Sequence, residues 1–398
     1  MGNERYVLRD ESFGGTLYDR KLLKHDFLYK DQIDSTAISI NGQEIKSFEH
    51  WEAEVENLRT DILYSPIRVY IERTRKCNLR CDTCFNSSGV EPEGELTTDE
   101  LKKSLDGMRK DNILDLRFSG GEITTKPNWH EEVGYAKELG FAVSVNTNGV
   151  FQNPDKTVEQ LATLHIDQIT ISIDGNQEHH DKNRGRGTYE KSLEALKELK
   201  RRGASTRTNT VLTTLSINDP ESIIQSVAPY VDEMAFFHMR LIGRAQGIQN
   251  RRVDFYNLVE FYNRMEILEK RYPNIRFFYK ERAIQNTSIM PNGYGLRVGS
   301  PDGLTRLNLN NDGSLWAGGY TAYIDPDFRL GNIKDENYSL RQIWNNSPIL
   351  ESYRDFGQKL VERCLSCVEL DTRCPGVNVE MELIRKKFPL IGNPNCIY

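Results

Sequence analysis

The chain between residues 66 and 243 alternates short apolar, β-branched runs with segments whose apolar residues recur at helical spacing. The runs predict strands, and the segments between them predict helices. The predicted strands are 67–72, 113–118, 142–146, 168–173, 205–212 and 233–239. The predicted helices are 98–111, 129–139, 156–163, 190–201 and 220–228. Repeated strand–helix units predict an α/β fold with a parallel sheet, and six units predict a partial (βα)6 TIM barrel over 66–245. Functional residues are then expected at the carboxyl ends of the strands.

Weaker patterns flank this region. Residues 1–65 predict a small β/α segment, with strands at 6–9 and 15–19 and a hairpin over 38–45 that turns at Asn41-Gly42. Residues 48–58 predict an amphipathic helix, because Phe48, Trp51 and Val55 share one face. A helix near 253–271 and a strand at 275–279 form a bridging segment over 246–300, and a C-terminal domain spans 301–398.

Composition narrows the class of protein. The chain has 398 residues, 38% of them hydrophobic and 28% charged, which is ordinary for a globular protein. A net charge of −6 gives no electrostatic reason to expect nucleic-acid binding. No apolar run reaches the ~20 residues of a membrane span, and the N-terminus lacks a secretory signal core. We therefore expect a cytoplasmic protein without a membrane partner.

The seven cysteines fall into two groups. Cys77, Cys81 and Cys84 form a C-x3-C-x2-C loop directly after the first predicted strand. Three thiolates can hold three irons of a 4Fe–4S cube and leave the fourth iron open, whereas a closed cluster normally takes four cysteines. A zinc knuckle is the alternative, but it needs a fourth Cys or His nearby, and the next histidine downstream is His130.

The second group closes the chain with four cysteines: Cys364, Cys367, Cys374 and Cys396. Four cysteines saturate one 4Fe–4S cluster, and a structural zinc has the same ligand count. Two separate groups in a large chain favour two metal sites in a reducing compartment over a disulfide scaffold.

The cysteine loop, with Phe85 after its last cysteine, resembles that of the radical SAM superfamily. The resemblance implies that S-adenosylmethionine (SAM) binds the open iron and is cleaved to a 5′-deoxyadenosyl radical. Further similar phrases follow the later strands: Ser119-Gly120-Gly121-Glu122, Asn146-Thr147-Asn148-Gly149, Ser172-Ile173-Asp174-Gly175 with Arg184-Gly185, and Gly243-Arg244-Ala245.

Matching these phrases to the family implies a set of SAM contacts. Gly120, Gly121 and Glu122 would hold the methionyl amino group. Ser172 would bind the ribose or the carboxylate, and Arg184 would pair with the carboxylate, for which a planar guanidinium is suited. The remaining expected contacts are Asn146 at the third strand turn, Asn209 and Leu212 through the fifth strand backbone, and Arg240 with His238 at the sixth. A packed, inert side chain is the equal alternative for His238. His179 and His180 are expected to be surface residues, and no catalytic residue is assigned beyond the cluster.

The C-terminal region resembles the SPASM extension of radical SAM enzymes, through Asn311-Asp312-Gly313 and the phrase from Leu330 to Trp344. The family places cysteines near 316–319 and at 378, where this chain has Trp316-Ala317-Gly318-Gly319 and Asn378. We therefore expect one auxiliary 4Fe–4S cluster rather than two, used for electron relay or for holding the C-terminus.

The resemblance favours a maturase that modifies a ribosomally made precursor peptide, possible reactions being tyramine excision (the splicease type) or decarboxylation (the mycofactocin type). Phe13-Gly14-Gly15 resembles the opening hairpin of winged leader-peptide recognition domains. The segment is either a truncated version of such a domain, completed by a separate recognition protein, or a cap on the amino side of the barrel. A flavodoxin or ferredoxin would supply electrons. The alternatives are an epimerase or dehydrogenase acting on a sugar or aminoglycoside, and a metal-stapled binding protein without activity.

Overall fold

The computed structural model describes residues 4–33, 37–40, 42–56, 59–279, 301–368 and 379–387. Its first strands, β1 (Tyr6–Glu11), β2 (Gly14–Asp19) and β3 (Lys24–Tyr29), form an antiparallel meander. The predicted hairpin over 38–45 is confirmed as β4 (Ile38–Ile40) and β5 (Gln43–Ile45). Gly14 opens β2 at φ 152°, and a Cβ there would lie 2.2 Å from the Leu28 carbonyl oxygen, which explains a glycine at this position.

The predicted helix over 48–58 is wrong. The segment instead forms β6 (Glu49–Trp51), which pairs in parallel with β1 and completes the sheet in the order β3-β2-β1-β6. The pairing gives hydrogen-bond partners to backbone groups on the second edge of β1. It also buries Trp51, which is 4% exposed and lies with its ring centre 3.7 Å from the Arg109 guanidinium. Long-range contacts thus outweigh the local helical spacing.

The central region confirms all the predicted strands and helices to within a few residues. Its strands are β7 (Arg68–Glu72), β8 (Asp115–Ser119), β9 (Ala142–Thr147), β10 (Gln168–Ser172), β11 (Thr206–Leu212) and β12 (Glu233–His238). Its helices are α1 (Thr98–Lys110), α2 (Trp129–Glu138), α3 (Pro154–Thr163), α4 (Gln177–Arg184), α5 (Thr188–Arg201) and α6 (Pro220–Val227). Each strand pairs in parallel with the next, so the carboxyl ends of all six lie on one side. Helix α4 is additional to the prediction.

The rest of the chain extends the same sheet at both ends. Helix α7 (Phe255–Arg271) leads to β13 (Arg276–Phe278), which pairs with β12. At the other end β14 (Arg306–Leu309) pairs in parallel with β7, and β15 (Ser314–Trp316) and β16 (Arg329–Asn332) follow antiparallel. The remaining helices are α8 (Thr321–Ile324), α9 (Arg341–Asn346), α10 (Pro348–Leu365) and α11 (Val379–Lys387). Ten strands therefore form one mixed sheet.

The two faces of the parallel strands differ sharply. One face is apolar and packs on the helices; Val69, Leu116 and Val143, for example, are fully buried. The other face, here called the polar face, carries Arg68, Tyr70, Glu72, Asp115, Arg117, Ser119, Ser144, Asn146, Gln168, Thr170, Ser172, Arg207 and Asn209. Parallel sheets are usually apolar on both faces. A polar face that is partly open to solvent is therefore the natural place for a substrate.

The N-terminal sheet packs against the amino ends of the parallel strands. The Tyr18 hydroxyl donates to Asp115 Oδ2 at 2.6 Å, and Arg68 Nη2 donates to the Leu23 carbonyl oxygen at 3.1 Å. Buried Arg9 donates to the carbonyl oxygen of Pro66 at 3.1 Å. These contacts agree with the cap interpretation of residues 1–65, and leader-peptide binding stays a prediction. None of the helices in the described residues is long and apolar enough to span a bilayer.

Candidate active site at the carboxyl ends of the strands

The loop that carries Cys77, Cys81 and Cys84 follows β7 and is held mainly by backbone contacts. Cys77 N–H donates to the Gly89 carbonyl oxygen at 2.8 Å, and Cys84 N–H donates to that of Cys81 at 3.3 Å. The three side chains are half-buried and carry free thiols. They are therefore presented together on one short loop at the carboxyl end of the first parallel strand.

Arg244 follows β12, which lies five strands away from β7 in the sheet, and its hydrogen bonds hold the cysteine loop in place. Its N–H donates to the Cys84 carbonyl oxygen at 3.0 Å, and its Nε donates to that of Cys81 at 2.8 Å. Gly243 before it has φ 60°, and a Cβ there would lie 2.2 Å from the Phe85 carbonyl oxygen. Sequence reasoning gave Arg244 no role, although the Gly-Arg-Ala phrase signals it.

The surroundings of the three sulfurs suit a group that binds thiolates. Burial raises the pKa of Cys77 to about 11, assisted by Glu122 and the other two cysteines and opposed by the hydrogen bond from the Leu79 N–H. Burial also raises the pKa of Cys81. With raised pKa values, the Cys77 and Cys81 thiols stay protonated at neutral pH, whereas a bound metal deprotonates a coordinating thiol. The Leu79 N–H already donates to Cys77 Sγ at 3.4 Å, the kind of hydrogen bond that tunes the reduction potential of an iron–sulfur cluster.

Arg184 reaches this loop from the end of α4. Its Nε donates to Asp174 Oδ2 at 2.6 Å, and its Nη1 lies 3.9 Å from Cys81 Sγ. Asp174 also accepts from Asn183 Nδ2 at 2.6 Å and from the Val211 N–H at 3.0 Å. Burial raises the pKa of Asp174, but Arg184 outweighs this effect and lowers it. A fixed, ionised Asp174 thus orients the guanidinium beside the cysteine loop, a role that sequence reasoning missed.

The predicted glycine contacts have a visible packing role. A Cβ on Gly120 would lie 2.4 Å from the Thr74 carbonyl oxygen, and one on Gly121 would lie 2.1 Å from that of Lys76. The two glycines therefore let the end of β8 pack directly on the stem of the cysteine loop. Their contact with SAM stays a prediction.

Glu122 is 1% exposed and joins the ends of β8 and β9. Its Oε1 accepts from the hydroxyls of Thr124 at 2.8 Å and Thr147 at 2.7 Å, and its Oε2 accepts from the Asn148 N–H at 2.7 Å. Burial raises its pKa against these hydrogen bonds. Oε2 keeps capacity for one more donor, so the expected contact with the SAM ammonium stays a prediction.

The other expected SAM contacts lie on or near the polar face. Asn146, Ser172 and Asn209 are half-buried there, and the side chain of Leu212 is buried in the core, so only its backbone is available. Asn209 Oδ1 accepts from Arg207 Nε at 3.0 Å. The polar face brings Asn146, Ser172 and Asn209 together on three adjacent strands.

One expectation for the histidines differs from the structure, and the contact expected of His238 stays a prediction. His180 is not a surface residue; it is fully buried, and its Nδ1 accepts from the Asp174 N–H at 3.2 Å, because α4 folds back over β10. His238 is buried with its Nε2 2.8 Å from the Tyr262 hydroxyl. Arg240 donates from Nη1 to the His238 carbonyl oxygen at 3.0 Å and lies 4.9 Å from the Tyr320 ring centre. Its contact with SAM or substrate stays a prediction.

Glu72 connects the active-site strand to the C-terminal region. The Tyr323 hydroxyl donates to both of its carboxylate oxygens at 2.7 Å, and the Tyr323 ring lies 5.6 Å from that of Phe85. Burial raises the pKa of Glu72 to about 7, against the lowering effect of the Tyr323 hydrogen bond. No sequence signal pointed to Tyr323, because the contact joins residues 251 apart.

This raised pKa predicts a pH dependence of stability. A folded-state pKa of about 7, above the ordinary glutamate value of 4.5, contributes stability at low pH that is lost as the pH rises toward 7. From about pH 6 to about pH 8 the loss is about 1.4 kcal/mol. We expect this loss of stability with pH to be absent from Glu72→Gln when the reconstituted protein is unfolded chemically. The exposed control Glu93→Gln should show the same loss as the wild type. Equal slopes for wild type and Glu72→Gln would contradict the assignment.

The C-terminal cysteines are described in part. Cys364 lies in the last turn of α10 and packs in the core with Leu360 and Val379, and its carbonyl oxygen accepts from the Cys367 N–H at 3.0 Å. Cys374 and Cys396 lie outside the described residues. Within the described ranges, no three His, Cys, Asp or Glu side chains converge on a single metal ion. A four-cysteine cluster here stays a prediction.

Comparisons with known proteins agree with this geometry. The model of the family described as "Radical SAM superfamily" matches residues 71–227. Mycofactocin maturase MftC of Mycobacterium tuberculosis is 30% identical over 345 residues, covering 84% of each chain. AdoMet-dependent heme synthase of Methanosarcina barkeri is 26% identical over 351 residues, covering 84% of this chain and 97% of that one. The structure of Streptococcus suis SuiB bound to precursor peptide SuiA aligns with a TM-score of 0.73 at 16% identity, covering 96% of each chain.

Proposed function

The chain belongs to the radical SAM superfamily, and we propose that it cleaves SAM at a 4Fe–4S cluster held by Cys77, Cys81 and Cys84. The observation that carries the proposal is the presentation of three free thiols beside the Arg184–Asp174 pair at the carboxyl ends of the strands. When bound, the cluster would supply one electron to SAM and so produce the 5′-deoxyadenosyl radical.

The chain's own residues would bind and orient SAM. Arg184, held by Asp174, would donate to the SAM carboxylate next to Cys81. Asn146, Ser172 and Asn209 would contact the nucleoside from the polar face, and the Gly120-Gly121 backbone with Glu122 would receive the amino group. The N-terminal sheet covers the amino ends of the strands, which would close the polar face to water at the end opposite the cysteine loop.

The substrate we propose is a ribosomally made precursor peptide. The name mycofactocin maturase, carried by a relative 30% identical over 345 residues, supports this class. A reaction at a tyrosine-containing site, by tyramine excision or decarboxylation, is the narrower form of the proposal. A small-molecule substrate is the second candidate, favoured by the relative named AdoMet-dependent heme synthase.

Reduced, anaerobically reconstituted protein tests the cleavage step directly. Incubation with SAM and dithionite should give 5′-deoxyadenosine, and omission of dithionite should give none. A peptide encoded by a short reading frame beside the gene, with deuterated tyrosine, should transfer deuterium to that product. Cleavage without transfer from this peptide would favour the small-molecule candidate, and absence of cleavage would overturn the proposal.

We also propose a SPASM-like C-terminal region with one auxiliary 4Fe–4S cluster on Cys364, Cys367, Cys374 and Cys396. The packing near Gly318 supports the absence of a first auxiliary cluster. A Cβ there would lie 2.6 Å from Glu380 Oε1 and 2.7 Å from Asp302 Cγ, so carboxyl groups take the space. Burial and Asp302 raise the pKa of Glu380 well above its usual value, as expected for two carboxyls that share a proton.

Iron analysis gives the matching prediction. The reconstituted wild type should bind about eight irons per chain, since two cubes hold four each. Cys364→Ala with Cys367→Ala should bind about four and keep the cluster at Cys77. Four irons with zinc in the wild type would contradict the auxiliary cluster.

The remaining parts of the proposal concern partners. A separate leader-peptide recognition protein would complete the short N-terminal segment, and a flavodoxin or ferredoxin would reduce the cluster. A reducing cytoplasm is the compartment we propose. The five described cysteines are free thiols, and cluster assembly needs reduced thiols.

A further inference from the structure

Four residues of the polar face lie side by side across β7 to β10. Tyr70 is in register with Arg117, Arg117 with Ser144, and Ser144 with Gln168. Residues opposite each other on neighbouring strands place their side chains on the same face. The four are here called the central row. Arg117 precedes the carboxyl end of β8 by two residues, so the row lies about 7 Å below that end of the sheet.

The central row is rich in polar atoms without partners. Arg117 Nε, Ser144 Oγ and Gln168 Oε1 have no hydrogen-bond partner among the described residues. Ser144 is 1% exposed and Gln168 is 2% exposed, and the Arg117 side chain is 12% exposed. Buried polar atoms are nearly always hydrogen-bonded in folded proteins, because an unsatisfied one costs free energy. Three such atoms in one row indicate a place where a ligand completes the bonding.

Among the described residues, Arg117 is the guanidinium near the row that has only a distant and shared carboxylate. Each of the other three arginines nearby is in direct contact with a carboxylate, in the pairs Arg68–Asp115, Arg207–Glu233 and Arg306–Asp302. Within the described part of the chain, the carboxylate oxygen nearest to Arg117 Nε is Asp115 Oδ2, at 3.8 Å. That oxygen already accepts from Arg68 Nε at 2.6 Å and from the Tyr18 hydroxyl at 2.6 Å. Burying a charge without a close partner is costly, so Arg117 favours an anion.

The pKa of Tyr70 shows the effect of the same positive charges. Burial alone would raise its pKa, but the guanidinium groups of Arg117, Arg306, Arg68 and Arg207 outweigh burial and lower the pKa to about 7. Arg306 and Arg117 lie 5.3 Å and 5.8 Å from the centre of its ring. A hydroxyl in such a field is a strong hydrogen-bond donor to an anion.

We propose that the central row binds a carboxylate of the substrate, with Arg117, Ser144 and Tyr70 as donors and Gln168 Oε1 accepting from an amide N–H beside it. The inference rests on the proposed function, in which a substrate enters the polar face below SAM. A peptide can supply this carboxylate as an acidic side chain or as its C-terminus. The site selects substrates that place their reacting carbon above an anionic group.

Ligand binding to the reconstituted protein with SAM tests the site. Three probes separate the sources: N-acetyl-glutamate N-methylamide for a side chain, N-acetyl-glutamine for a C-terminus, and N-acetyl-glutamine N-methylamide as the neutral control. We expect one carboxylate probe to bind about tenfold or more tightly than the control. Binding should also raise the Tyr70 pKa, seen as loss of tyrosinate absorbance near neutral pH and absent in Tyr70→Phe.

Variants show that the preference arises at the row. Arg117→Gln should remove the preference for a carboxylate probe over the neutral control, and Ser144→Ala should weaken that preference several-fold. The exposed control Arg186→Gln should keep the preference. Ser144→Ala removes one hydroxyl and keeps the test meaningful if Arg117→Gln folds poorly. Equal binding of all three probes, or a preference that survives both row variants, overturns the site. Formation of 5′-deoxyadenosine by the same wild-type preparation is scored separately, so the proposed function can stand or fail independently.

Discussion

Replacing Cys77, Cys81 or Cys84 with alanine should abolish 5′-deoxyadenosine formation and remove about four irons per chain. The three thiols lie on one loop after β7, and each would bind a different iron of the cube, so none can substitute for another. Changing groups around a metal ligand commonly costs about 10–100-fold in affinity or activity, and loss of a ligand should exceed that. Product formation and iron content are measured together after anaerobic reconstitution.

Ser87→Gly is the matched control for the cysteine variants. Ser87 lies in the same loop, is exposed, and has φ 54°, a conformation that glycine adopts without strain. It should keep both iron and activity. Undiminished product from any of the three alanine variants would be incompatible with the proposed cluster.

Arg184→Gln should raise the KM for SAM by about 10–100-fold, the range expected for losing a hydrogen bond to a charged group. The guanidinium is fixed by Asp174 at 2.6 Å and directs Nη1 toward Cys81 Sγ at 3.9 Å. Arg184→Lys should restore little, because an ammonium cannot bond Asp174 and SAM with the same fork. The measurement is initial-rate formation of 5′-deoxyadenosine across SAM concentrations, with iron content confirmed.

Asp174→Asn separates positioning from direct contact. The asparagine cannot hold the guanidinium as an ion pair, so the KM for SAM should rise in the same direction while the cluster loads normally. Arg186→Gln changes an exposed arginine near the same helix end and should leave the KM unchanged. If Arg184→Gln binds SAM as the wild type does, the carboxylate contact must be assigned to another residue.

Local patterns in the chain predicted most of the fold and the position of the candidate site. The central strands and helices appear from spacing alone, because an apolar run or a helical period is readable within a window of about ten residues. The cysteine loop is readable for the same reason, since all of its thiols lie within eight residues. The helix expected over 48–58 failed because β1 needed an edge partner, a demand made by residues some forty positions away.

Contacts between distant residues were decided only by the tertiary structure. Arg244 holds the Cys81 carbonyl across a separation of 163 residues, and Tyr323 holds Glu72 across 251. The central row depends on the register of four strands, and a shift of one residue in any of them would turn its side chain to the other face. The sequence by itself thus determined which chemistry the chain carries, through short motifs and periodicity. Strand register and contacts between distant residues decided which side chains surround the candidate site. Both depend on how the whole chain packs, and a short stretch of sequence does not contain that information.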